Sequence, residues 1–247
     1  VNYDIRPLSF TEVLDRAFVL LRDQFWLLTG ISAVLWVPYG MIAALAGFGH
    51  HVGLYLVALL LLLLLAPLAH AATTVAVSCV YLGTPATVKG SYLATRDIFQ
   101  AIIGTYLLMY LLFIPLMMLL VVPGIYFMNC WLLVAPVMIV EETFGLRAMR
   151  RSRALVRGSW WKTFGLMTLV GLIEFVPAMT LEFFWSFIPI LGPILNGATQ
   201  AITNSYSLIA VVVYYFDRRC RTEDFDLRIL ARQIRTEAAA VARTSIA

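Results

Sequence analysis

A chain of 247 residues that is 62% apolar and 13% charged cannot cover a water-soluble core with polar surface, so lipid must be the solvent for much of it. Its net charge of +4 does not mark a nucleic-acid binder, because the arginines stand beside apolar runs where membrane topology explains them. Cys79, Cys130 and Cys220 show neither metal nor redox spacing, and three cysteines exclude a fully paired disulfide framework.

The residues before the first apolar run are rich in Asp, Glu and Arg, which predicts that the N-terminus is not a cleavable signal peptide. Ser9 and Glu12 form a capping box for a helix in which Phe10, Val13, Leu14, Ala17, Phe18 and Leu21 recur at helical spacing. Glu12, Asp15, Arg16, Arg22 and Asp23 lie opposite, so this helix is expected on the membrane surface. A first span follows from Phe25 to about Phe48 with Pro38 inside it, and a second from about His51 to Val80. At about 1.5 Å per residue the second would be about 45 Å long and project beyond a hydrocarbon core of about 30 Å.

The cycle then repeats. Thr84, Pro85 and Thr87 start a weaker surface helix through Val88, Tyr92 and Arg96. A third span runs from about Ile98 to Val122 with Pro115 inside it, and after a break at Val122-Pro123-Gly124 a fourth ends near Val140. In the segment that follows, Phe144, Ala148, Ser152, Leu155 and Ser159 share one helical face, while Arg147, Arg150, Arg153 and Arg157 lie mostly on the other. Such a helix is expected in the headgroup layer, followed by interfacial Trp160 and Trp161 and a snorkelling Lys162. A fifth span from about Trp160 to Phe187 contains Pro177, and after the turn at Ile188 to Pro193 a sixth runs from about Ile194 to Phe216.

The expected fold is therefore an all-α integral membrane protein. Six transmembrane helices form three parallel repeats, residues 8–80, 84–140 and 143–216, each preceded by a cytoplasmic amphipathic helix. Residues 217–247 make a cytoplasmic tail in which Leu230, Ile234, Ala238 and Val241 share a face. All 18 Lys and Arg residues lie in the N-terminal segment, the two longer connections or the tail, which puts both termini on the cytoplasmic side. The expected location is a bacterial plasma membrane.

The stretch Tyr214-Tyr215-Phe216-Asp217-Arg218-Arg219-Cys220-Arg221-Thr222-Glu223-Asp224-Phe225-Asp226-Leu227, with Arg6-Pro7-Leu8-Ser9, Ala17-Phe18 and the run from Arg151 to Gly158, resembles the glycerophosphoryl diester phosphodiesterase membrane domain family. Asp224 stands where that family usually has glycine. The resemblance covers nearly the whole chain and implies a membrane region of the kind found fused to a phosphodiesterase domain, here without that domain. Stand-alone members have no generally assigned activity. The pairs Asp217 to Arg221 and Arg219 to Glu223 have helical i, i+4 spacing, each worth about 0.2–0.5 kcal/mol.

Two acids stand inside the fifth span. Glu174 lies near its middle and Glu182 nearer its outer end, each costing several kcal/mol if charged and facing lipid. The sixth span supplies a polar stripe, Asn196, Gln200, Asn204 and Ser207; antiparallel packing sets Asn204 near the depth of Glu174 and Asn196 near that of Glu182. These groups are either interhelical glue or a polar path for an ion or lipid headgroup. Arg147, Arg150, Arg153, Arg157, Lys162 and Arg218 are candidate contacts for anionic headgroups. Adjacent His50 and His51 lack a carboxylate cluster, and a lone His70 in the second span suits packing or hydrogen bonding. No catalytic motif, cofactor motif or metal set is found. The first reading is a non-enzymatic scaffold or anchoring subunit that packs with membrane proteins, a second copy or lipids. A transporter or lipid-translocating protein is the second reading, and a membrane-lipid enzyme the third.

Overall fold

A computed structural model describes residues 6–48, 52–81, 83–188 and 191–223. Among them there are helices and no strands: α1 (Phe10–Asp23), α2 (Phe25–Phe48), α3 (Val52–Tyr81), α4 (Val88–Ala94), α5 (Phe99–Leu119), α6 (Val121–Cys130), α7 (Val134–Val140), α8 (Leu146–Val156), α9 (Trp160–Trp185) and α10 (Gly192–Glu223). Five segments are long and apolar enough to cross a membrane: Phe25–Leu45, Val52–Tyr81, Phe99–Met118, Val121–Val140 and Trp160–Trp185. The chain is thus a multi-pass, all-helical membrane protein. His50, His51 and the tail from Asp224 onward lie outside the described residues.

Its hub is α10, which packs against α2, α9, α1, α3 and α8. That position explains why α10 is the least apolar of the long helices. Neighbouring helices cover most of its second half, while Ile194 and Ile202 stay exposed, so it can carry polar side chains where a partner stands opposite. Ser205 Oγ lies 2.8 Å from Ser32 Oγ and donates to the Leu28 carbonyl at 3.1 Å, joining α10 to α2. A turn or two further along, Gly197 and Gly40 let the two backbones touch. A Cβ on Gly197 would stand 2.8 Å from the Trp36 carbonyl, and one on Gly40 would stand 2.8 Å from that of Pro193. The helix continues unbroken from Gly192 through Glu223, beyond the expected end at Phe216.

The capping box of α1 is formed as expected. Glu12 Oε2 accepts the Ser9 N–H at 2.6 Å, and Ser9 Oγ accepts that of Glu12. Its buried face is Val13, Ala17, Leu20 and Leu21, with Phe18 turned outward at 60% exposure. Since α1 packs on α10 and α2, part of the apolar stripe read from the sequence is covered by protein.

The fourth expected span is two helices. Between α6 and α7 the chain turns at Trp131 to Leu133, close to Pro136, which has no N–H to continue a helical ladder. The freed backbone groups are met by one side chain of α8. Ser152 Oγ donates to the Cys130 carbonyl at 2.7 Å and accepts the Leu133 N–H at 3.1 Å. This is how a broken helix is tolerated at membrane depth. Entry into α8 is set by Gly145, whose φ of +64° suits glycine and whose N–H donates to Thr105 Oγ1 of α5 at 2.8 Å. Between α3 and α5, His70 Nδ1 lies 3.0 Å from the Tyr106 hydroxyl, and Tyr92 of α4 donates to the Ile31 carbonyl of α2 at 2.8 Å.

Candidate functional site

Three groups of polar side chains stand out, one within the α9–α10 pair, one along α8 and one at the C-terminal end of α10.

The first joins Glu174 to Asn204, whose Nδ2 donates to Glu174 Oε1 at 3.4 Å. Antiparallel packing brings these two residues level, as expected from the sequence. Nearer the other end of the pair, Glu182, Asn196 and Gln200 line one cavity of about 810 Å³ together with Trp36, Tyr39, Tyr55 and Trp185. Glu174 and Asn204 are not among its lining residues. The five polar candidates therefore divide into a closed pair and a lined cavity. Trp185 Nε1 donates to Thr199 Oγ1 at 3.0 Å, which fixes that wall.

In α8, Ala148, Met149, Ser152, Leu155 and Val156 are buried. At about 100° per residue they occupy an arc of about 120°, and α6, α7 and α10 pack against this helix. The face expected in the headgroup layer is thus seated on protein. The arginines then sort by angle. Arg151, at one margin of the buried arc, turns to the acids Glu141 and Glu223. Arg150, Arg153 and Arg157, within about 60° of one another past the other margin, line a cavity of about 450 Å³ with Tyr126, Cys130, Gly158 and Trp160. Arg147 is exposed and lines none of these cavities. The Arg153 guanidinium lies 5.8 Å from the Phe127 ring centroid, a cation–π distance.

The two tryptophans part company. Trp161 is 77% exposed, whereas Trp160 is held on several sides: stacked on Tyr126 and Phe164, its indole N–H donating to the Tyr126 carbonyl, its own carbonyl accepting from Asn129 at 3.1 Å. Lys162 and Arg218 belong to a third, smaller cavity with Leu8, Asp217 and Arg221. Arg218 is buried, and its Nε donates to the Leu155 carbonyl at 2.9 Å, so this guanidinium caps the end of α8.

The third group is an ionic lattice. Arg151 Nε donates to Glu141 Oε2 at 2.6 Å and its Nη2 pairs with Glu223. Arg219 Nε reaches Glu223 Oε2 at 3.1 Å and lies 3.8 Å from Glu141 Oε1, the same oxygen that accepts the Tyr215 hydroxyl at 2.9 Å. Pairing with Glu141, opposed by desolvation and reinforced by Glu223, pushes the Arg151 pKa above its ordinary value. Burial pushes the Glu223 carboxyl up, but Arg151 and Arg219 together outweigh it and hold it below its ordinary 4.5. The neighbouring Arg221 Nε donates to Asp217 Oδ1 at 2.8 Å. Both i, i+4 pairs read from the sequence are therefore formed, while the roles of Arg151, Glu141 and Ser152 were not foreseen. Two adjacent acids immediately before a basic helix were the available signal.

Among the described residues no group of three or more His, Cys, Asp and Glu side chains is placed to hold a metal ion. Cys130 and Cys220 are buried and Cys79 is half-buried.

Residues 109–234, just over half of the chain, match the family described as "Domain of unknown function (DUF8558)". That region takes in α6 to α10, and with them the ionic lattice and the arginine-lined cavity. No curated protein and no solved structure matches the chain.

Proposed function

The chain belongs to the DUF8558 family, and we propose that it is a non-enzymatic, multi-pass membrane scaffold or anchoring module that packs with other membrane proteins, a second copy of itself or lipids. The observation that carries this reading is that polar groups at the centre of the helix pairs α9–α10 and α10–α2 close on one another. Glu174 is bonded to Asn204, Ser205 to α2, and most charges at the end of α10 are paired within the fold. These are bonds that hold helices together. A transporter with its polar site around α9 and α10 is the competing reading, favoured by the cavity beside Glu182, Asn196 and Gln200.

In this reading α10 is a sixth span, and three parallel repeats run α1–α3, α4–α7 and α8–α10. α1, α4 and α8, both termini and the basic residues face the cytoplasm of a bacterial cell, in keeping with the resemblance to the phosphodiesterase-associated membrane domains. Cysteine labelling in intact cells tests the orientation. Leu191→Cys should react with an impermeant maleimide, and Lys89→Cys should not.

Replacing Glu174 tests the function. In a scaffold, Glu174→Gln keeps the shape and a hydrogen bond to Asn204, so fold, native complexes recovered by copurification and any cellular phenotype should persist. A variant that stays folded and assembled but loses the phenotype overturns the scaffold reading in favour of coupled transport.

A further inference from the structure

Of the five arginines from Arg147 to Arg157, Arg151 alone is taken by acids among the described residues, and three of the other four share one cavity. Arg151 is taken by Glu141 and Glu223, and Arg218 by the Leu155 carbonyl. Arg150, Arg153 and Arg157 pair with no acid among the described residues, yet all three border the same 450 Å³ cavity. Like charges gathered around one concavity repel one another unless an anion sits between them, since every pair loses Coulomb energy at close range.

The cavity is shaped for more than a loose counterion. Its floor is α6, where Tyr126 and Cys130 line it, and its side is Trp160, clamped by Tyr126, Phe164 and Asn129. The cation–π contact of Arg153 with Phe127 at 5.8 Å uses none of its N–H groups as a hydrogen-bond donor to an acid, so its fork remains for an anion. Three forked donors bordering one cavity suit a tetrahedral oxyanion, whose oxygens accept bidentate bonds better than a carboxylate in the same space could against three guanidiniums. Gly158, with a φ of +81°, lets the chain turn from α8 into α9 beside it, so the basic rim lies at the head of an apolar helix. Along that helix the exposed Trp161, Leu169, Leu172 and Ile173 give acyl chains a surface.

We propose that Arg150, Arg153 and Arg157 form a binding site for one phosphate ester group, with the headgroup of an anionic phospholipid or a soluble phosphate ester as the source. The site deepens the membrane-module reading, on which the lipid source rests, and replaces a diffuse basic surface by one stoichiometric contact.

Native mass spectrometry of the detergent-purified protein, titrated with phosphatidylglycerol and separately with phosphatidylcholine, is the test. One phosphatidylglycerol per chain should be retained, and the combined variant Arg150→Gln, Arg153→Gln and Arg157→Gln should weaken it at least tenfold. The control Arg147→Gln with Lys162→Gln should change it less than threefold. Arg153→Lys, which keeps the charge and loses the fork, should fall between. Size-exclusion profile and helical circular dichroism establish that each variant is folded. Equal retention by the triple variant and the wild type, or an equal loss in the control, overturns the site. Glycerol 3-phosphate and inorganic phosphate as competitors separate the sources. Displacement at concentrations similar to the lipid's supports a soluble ester, and its absence supports the lipid. Release of the protein from membranes by alkaline carbonate would instead sink the membrane reading and leave the arginine result standing.

Discussion

Leu8 and Asp217 meet across most of the chain: the Leu8 N–H donates to Asp217 Oδ1 at 2.7 Å, while Arg221 donates to that same oxygen and to the Leu8 carbonyl. One carboxylate and one guanidinium thus satisfy both backbone groups of a residue just ahead of α1, tying the start of the described chain to the end of α10. Asp217 is 5% exposed, so deleting its carboxylate leaves the buried Leu8 amide without a partner and Arg221 with the Leu8 carbonyl in place of a charge. Asp217→Ala should cost about 1.5–3 kcal/mol, the usual worth of a hydrogen bond to a charged group. Asp217→Asn, which can still accept from Leu8, should cost less. Denaturant unfolding in detergent micelles ranks the two, and equal costs would refute this account of the tie.

Ser152 offers a local test. Its hydroxyl serves both Cys130 and Leu133 at the break between α6 and α7, and its removal leaves two buried backbone groups unpaired. Ser152→Ala is expected to destabilise by about 1–3 kcal/mol and to speed hydrogen exchange at the Leu133 amide ahead of its neighbours in α7. Ser152→Thr should retain most of the protection.

Contrasting outcomes are expected for two glycines. At Gly197 a Cβ meets the α2 backbone at Trp36 and Val37, whereas at Gly104 in α5 nothing lies within 4 Å. Gly197→Ala should force α10 away from α2 and cost about 1–3 kcal/mol as an overpacked contact. Gly104→Ala should be neutral, or stabilising by up to about 1 kcal/mol through helix propensity. Thermal melts in the same detergent compare them directly.

Acid should loosen both ends of the fold. Glu12 is held down to about 2 from 4.5 by the Ser9 backbone N–H and Arg6, and Glu223 is held below 4.5 by its two arginines. Each carboxyl takes up its proton more readily in the unfolded chain. The stabilisation is therefore complete above pH 4.5 and is lost as pH falls through the folded values, for Glu12 between about 4.5 and about 2. Melting temperature should decline over that window, and Glu223→Gln should flatten part of the decline. An unchanged slope in Glu223→Gln would show that this lattice does not couple to pH.

Apolar run length announced α2, α3, α5 and α9 to within a few residues, and the Ser9–Glu12 capping box announced α1, because both signals are local. Depth matching of antiparallel helices was enough to pair Glu174 with Asn204. Periodicity reveals that a helix has an apolar face but not what covers it, so Ala148, Ser152 and Leu155 read as lipid-facing although α6, α7 and α10 pack against them. The bond made by Arg218 was out of reach for the same reason. Its guanidinium serves a carbonyl sixty-odd positions away, a partner that no spacing rule reaches. The split of the fourth span at Trp131 to Leu133 had one local sign, Pro136, and prolines at Pro38, Pro115 and Pro177 sit inside intact helices.

The hub position of α10 dictates an order of events during synthesis. Every other described helix leaves the ribosome before it, so α2 enters the bilayer with Ser32 still unpaired and its Gly40 groove empty, and the Leu8 amide waits for a carboxylate made more than two hundred residues later. Insertion can proceed helix by helix, but assembly waits for α10, and a chain cut short before Ser205 would leave a set of inserted helices with nothing to close around.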